Sequence, residues 1–115
     1  MRKNYKRKLT KKLLSELKLL RSSLEYCTRL SNTEHLTRQR KDALRKRLLS
    51  ESHTIQAVEN AISLLTPIER KIIELHYIEE HSFEDMEEVC AMDRSCIYRH
   101  HVRAVDKIAL VLYGE

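Results

Sequence analysis

The stretch Ser82-Phe83-Glu84-Asp85-Met86-Glu87-Glu88-Val89-Cys90-Ala91-Met92-Asp93-Arg94-Ser95-Cys96-Ile97-Tyr98-Arg99 decides how the chain is read. Ser82 and Asp85 have the spacing of a capping box, so a helix starts after Ser82. Phe83, Met86, Val89 and Cys90 give that helix one apolar side. Asp93 is a further N-cap candidate, and Met92 before it and Ile97 after it have the spacing of a hydrophobic staple. A short helix, a tight turn and the cap of a second helix fit between Ser82 and Asp93, the dimensions of a helix-turn-helix. Met86, Met92 and Ile97 are the apolar triangle expected to hold the two helices together. The second helix keeps one face through Ile97, His101, Ala104, Ile108 and Leu112 until Gly114 stops it. Arg94, Ser95, Tyr98, Arg99 and Arg103 fall on the opposite, outward arc.

Toward the N-terminus, Thr66-Pro67-Ile68-Glu69 combines three independent start signals. Thr66 fits an N-cap, Pro67 a first helical position and Glu69 the return arm of a capping box. The helix that follows carries Ile68, Ile72 and Leu75 on one face, widened by Ile73 and Tyr77. Before it, Leu13, Leu17, Leu20, Leu24 and Cys27 recur at intervals of four and three, an apolar helical seam. Ser31-Asn32-Thr33 is a polar link able to cap what comes next. Leu44, Leu48, Glu51, Ile55, Val58, Ile62 and Leu65 repeat the seam, widened by Leu49, Ala57 and Ala61, with Glu51 expected at an exposed edge. Two such helices fold as an antiparallel hairpin or pair with a second chain as a coiled coil; the hairpin, with dimerisation as an addition, is the preferred reading. One glycine among 115 residues excludes most hairpin-built β architectures. The expected fold is therefore all-α: a basic tail over residues 1–12, a helical hairpin or coiled-coil extension over 13–65, and a C-terminal helix-turn-helix domain over 66–115.

The net charge of +5 conceals a division. Residues 1–50 hold 16 basic and 4 acidic side chains, whereas residues 51–115 hold 6 and 13. Seven of the first twelve residues are Lys or Arg, which predicts a solvated, mobile, anion-seeking segment. Residues 66–92 carry eight acids and two bases, and the only basic island beyond them is residues 93–107. No uncharged run exceeds nine residues, so no membrane span is expected, and the start lacks a signal-peptide core, which implies a cytoplasmic protein. Cys27, Cys90 and Cys96 are odd in number and form no CxxC pair, consistent with a reducing compartment. Cys96, His100 and their neighbours show no standard zinc spacing, so neither metal nor other cofactor is expected. There is no phosphate-cradling glycine loop and no nucleophile motif, which argues against an enzyme.

Leu65-Thr66-Pro67-Ile68-Glu69-Arg70, the run Leu75 to Met86 and the run Asp93 to Ala104 together resemble region 4 of sigma-70-type factors over about 45 residues. The string Cys96 to Ala104 is most similar to the ArpU- and RinA-type regulators of Gram-positive phages, which activate late viral genes. The resemblance implies that Arg94, Ser95, Tyr98 and Arg99 face base edges in the major groove. It further implies that Arg103 and the Ser82 helix start hold phosphates. Lys107 and the basic front residues Lys3, Arg7 and Lys8 are expected to add phosphate contacts. Four positions depart from the family pattern: Ala91 replaces a frequent turn glycine, His76 a frequent Arg, Glu87 a usual Ala, and His101 a commonly apolar residue. The expectation is a sequence-specific transcription regulator, phage-encoded, activating late genes with host RNA polymerase in the host cytosol. Its partners would be double-stranded DNA, the polymerase and further copies of itself, with no membrane. A polymerase-binding adaptor and a coiled-coil assembly protein are the alternatives.

Overall fold

The computed structural model describes residues 2–33 and 35–114 of the chain. The expected all-α architecture is observed, with no strand among the described residues. Its helices are α1 (Arg2–Ser31), α2 (Arg38–Ser63), α3 (Pro67–Ile73) continued by a π-helical turn (Glu74–Ile78), α4 (Phe83–Cys90) and α5 (Arg94–Tyr113).

α1 and α2 form an antiparallel hairpin within the chain. Arg21 Nη2 lies 2.9 Å from the Glu59 carboxylate, and Ser23 Oγ donates to Glu51 Oε1 at 3.0 Å. Arg47 Nε also donates to Glu51 Oε1, while its Nη2 donates to Ser23 Oγ, both at 2.9 Å. Glu51 is thus not at an exposed edge: its side chain is only 14% exposed and tied to both helices. The seam is also shifted, because the four-and-three spacing passed over Leu14. Leu14, Leu17 and Cys27 are buried, whereas Leu13, Leu20 and Leu24 are partly so. The cap of α2 is Thr37, whose side chain accepts from the Arg40 amide at 3.3 Å, rather than Ser31 to Thr33.

The N-terminal basic block is helical from Arg2 onward, the opposite of a mobile tail. It contains no Gly or Pro to break a helix, and α5 offers it acceptors. Arg7 donates through Nε and Nη2 to the two Asp106 carboxylate oxygens at 2.6 and 2.8 Å. Lys6 Nζ donates to the Gly114 carbonyl at 2.8 Å, and Thr10 is fully buried with its hydroxyl on the Lys6 carbonyl. The hydrogen bond from Arg7 outweighs burial and holds the Asp106 carboxyl below its usual range.

The main core crosses Thr66. Leu14 and Leu17 of α1 and Ile55, Val58, Ala61 and Ile62 of α2 pack with Ile73, Ala104, Val105 and Ile108. A second, smaller cluster of Ile72, Leu75, Met86 and Ile97 joins α3, the π turn, α4 and α5. Thr66 begins α3 with a complete capping box, and Pro67 occupies the first turn, as its sequence signals require. Glu69 is 3% exposed and serves twice: Oε1 accepts from the Thr66 amide at 2.9 Å and from Lys107 Nζ at 2.8 Å. Burial pushes this carboxyl up, but the bonds from Lys107 and Thr66 more than offset it, so the net shift is downward.

Candidate nucleic-acid interface

The helix-turn-helix is built by α4, the turn at Ala91–Asp93, and α5. Ser82 caps α4, its Oγ accepting from the Asp85 amide at 3.1 Å. Met86 and Ile97 are fully buried between the helices, and Met92, Phe83 and Cys90 close the edges. The turn depends on Ala91, which adopts φ 53, ψ 46, the left-handed conformation usually given to glycine. An L-residue there costs on the order of 1 kcal/mol through the contact of its Cβ with the following carbonyl. Asp93 has the extended backbone of an N-cap but makes no side-chain capping bond, leaving its carboxylate toward solvent.

Arg94, Ser95, Tyr98, Arg99 and Arg103 are all exposed on α5, and Ile97, His101, Ala104, Val105 and Ile108 are buried on its other side. Arg94 Nε donates to Glu87 Oε1 at 3.1 Å, and its Nη2 lies 4.0 Å from Glu84. Glu87, where a small residue is usual, therefore lies beside a predicted base reader and half-exposed, rather than wedged between the helices. Arg99 Nη2 donates to Cys96 Sγ at 3.2 Å, and Arg103 has no carboxylate partner among the described residues. The Arg99 and Arg103 guanidiniums are open to bidentate bonding with guanine or phosphate, whereas Arg94 has to exchange its ion pair with Glu87 to reach a base.

The remaining predicted phosphate residues divide. Lys8 and Lys3 are exposed, with Lys3 loosely opposite Asp106 at 3.8 Å. Arg7 and Lys107 are committed to Asp106 and Glu69, so each would have to give up an internal ion pair to reach DNA. The start of α4 is poor for a phosphate: the Ser82 hydroxyl is used in the cap, and Glu84 and Asp85 in the first turn already neutralise the helix dipole.

Behind Tyr98 lies an aromatic cluster that periodicity did not reveal. His101 is 2% exposed, and its Nε2 is 2.8 Å from the Tyr77 hydroxyl. His76 stacks on Phe83 at 4.4 Å between ring centroids, and its Nδ1 meets the His81 carbonyl at 2.8 Å. Phe83 lies edge-on to Tyr98 at 6.1 Å. Burial, reinforced by the charges of His76 and Lys11, brings His101 down to about 4. Burial takes Tyr77 up to about 12, so its hydroxyl stays protonated and pairs with Nε2 of a neutral His101. The His101 Nδ1 is buried without a partner. The π turn widens the helix ahead of this cluster, with the Glu79 amide bonding the Glu74 carbonyl at 3.0 Å. Only the unexpected polar identity of His101 in an apolar row hinted at the pairing.

The family model described as sigma-70, region 4 matches residues 55–108, from the middle of α2 to the buried part of α5. That segment contains a sigma-70 region 4-like helix-turn-helix, a DNA-binding unit of transcription regulation. Neither a curated protein nor a solved structure matches the chain. No helix among the described residues is long and apolar enough to cross a membrane.

Proposed function

We propose that the chain is a sequence-specific DNA-binding transcription regulator, encoded by a phage, that activates late genes together with host RNA polymerase. One observation carries the DNA-reading part. The five side chains Arg94, Ser95, Tyr98, Arg99 and Arg103 stand exposed on one arc of a helix clamped to α4 by Met86 and Ile97, inside the matched segment. In this reading Arg94, Ser95, Tyr98 and Arg99 meet base edges while Arg103, Lys8 and Lys3 meet phosphates. The acidic exposed residues Glu79, Glu80, Glu84 and Glu88 would repel DNA and suit a basic surface of the polymerase. The host cytosol is the compartment that this role requires.

Self-association is also part of the proposal. Of the C-terminal apolar residues, Ile108 belongs to the core and Leu112 packs against it. Leu110, Val111 and Tyr113 remain outward and would form the contact. The direct test is selection of bound duplexes from a random pool, followed by footprinting of the enriched sequence. A protected site of one helical turn, or two such half-sites for a dimer, is the expected result. A pool that stays random would leave the adaptor or assembly readings in its place.

A further inference from the structure

We propose that the far end of the α1–α2 hairpin is a second nucleic-acid-binding surface that grips the phosphodiester backbone of duplex DNA without reading its sequence. The proposal rests on the DNA-binding reading above and adds a site separate from α5.

The far end of the hairpin is an arm. The central core takes hairpin residues no further out than Leu24 on α1 and Ile55 on α2. Beyond those, Cys27 and Leu44 are buried outside either core cluster. The molecule measures 54 by 32 by 21 Å, with a radius of gyration of 17.0 Å. A compact chain of this length would have about 13 Å.

The arm is strongly basic and its charges are unspent. Arg29, Arg38, Arg40, Lys41, Arg45 and Lys46 lie there, exposed except for half-buried Lys41. None has a carboxylate partner among the described residues, in contrast to neighbouring Arg47, which is bound to Glu51. Arg38, Lys41 and Arg45 recur at intervals of three and four, so they form one row about 10 Å long on the flank of α2. Such a row suits the regular negative charge of a duplex, and guanidinium forks bond phosphate oxygens in pairs. An anionic membrane is the less favoured partner. The α2 seam is turned inward onto α1 there, and of the residues flanking the row only Leu49 presents a large exposed apolar side chain, too little for an inserting face. Joined to the reading helix by a rigid fold, a second weak contact multiplies affinity through effective concentration.

The test compares the full chain with the triple variant Arg38→Gln/Lys41→Gln/Arg45→Gln on a random-sequence 30-base-pair duplex at several KCl concentrations. The three residues have no ion pair among the described residues, and equal melting temperatures establish that the variant folds. The variant should bind about tenfold more weakly at 0.1 M salt, and its log K against log salt slope should be shallower by about 2 to 3. The footprint on a selected site should keep its boundaries over the α5 contacts. An unchanged slope overturns the proposal while leaving the α5 reading intact, whereas loss of sequence selection in the wild type overturns that reading while a slope difference still supports the arm. Loss of binding to phosphatidylserine vesicles, with the DNA slope unchanged, overturns it in favour of a membrane partner.

Discussion

Individual side chains determine what this helix-turn-helix can do, and several act through contacts that no sequence pattern displays. Ala91 is one whose position the sequence marked but whose conformation it did not. The structure places it in the left-handed region, so Ala91→Gly removes the Cβ contact and loses some unfolded-state restriction in exchange. The net expectation is a stabilisation of roughly 0.5–1 kcal/mol, read as a melting temperature a few degrees higher. A lower melting temperature would mean that the Cβ is not strained there. His101 is a second such residue. Its pairing with Tyr77 spans 24 positions and a π turn, so periodicity could place it on the buried face but could not supply its partner. Its folded value of about 4 lies below the ordinary 6.5, so the unfolded chain binds the proton more tightly. The resulting stability is complete above about pH 6.5 and is lost as pH falls toward 4, a term on the order of 3 kcal/mol. The wild type should therefore lose melting temperature steeply between pH 6.5 and 4, and His101→Leu should flatten that decline. Equal slopes for the two proteins would show that another group controls the acid response.

Helices were legible wherever caps and apolar spacing agreed. The start of α3 at Thr66 and Pro67, the start of α4 after Ser82 and the stop of α5 at Gly114 all followed from local chemistry. The Thr66 box is exposed to a direct check: Thr66→Ala removes the bond to the Glu69 amide and should cost about 1 kcal/mol. Chemical denaturation reads this as a lower midpoint with an unchanged slope, and no change in midpoint would show the cap to be idle. What remained hidden were features that depend on distant elements. Arg7 lies 99 residues from Asp106, and Lys107 lies 38 from Glu69, so both read as free cations in the sequence. The N-terminal block looked mobile for the same reason. Charge density alone predicts a solvated tail, whereas acceptors on α5 turn it into the docked first turns of α1. Leu14 was missed because a strict four-and-three seam follows one line, while α1 is covered on a broader arc by both α2 and the C-terminal helices.

Across the whole molecule, the hairpin and the helix-turn-helix share one core, although the sequence shifts sharply in charge near Thr66. Leu17, fully buried, belongs to the same cluster as Val105 and Ile108 of α5. Leu17→Ala should therefore cost about 2–5 kcal/mol and lower the melting of α1 and α5 together, in a single calorimetric transition. Two separate transitions would mean that the hairpin and the C-terminal helices fold independently. The net charge of +5 likewise has a spatial meaning. Along the chain, exposed basic residues at the hairpin end and on the outward arc of α5 flank the acidic stretch from Glu69 to Glu88, the distribution that the proposed DNA and polymerase contacts call for. The central claim is that α5 reads sequence, and it is tested most directly by affinities of three single variants for a selected site and for random duplex. Arg94→Ala and Arg99→Ala should each cost about 1–3 kcal/mol on the selected site and little on random DNA, while Arg103→Ala should weaken both alike. Equal losses on both duplexes for all three variants would contradict the account.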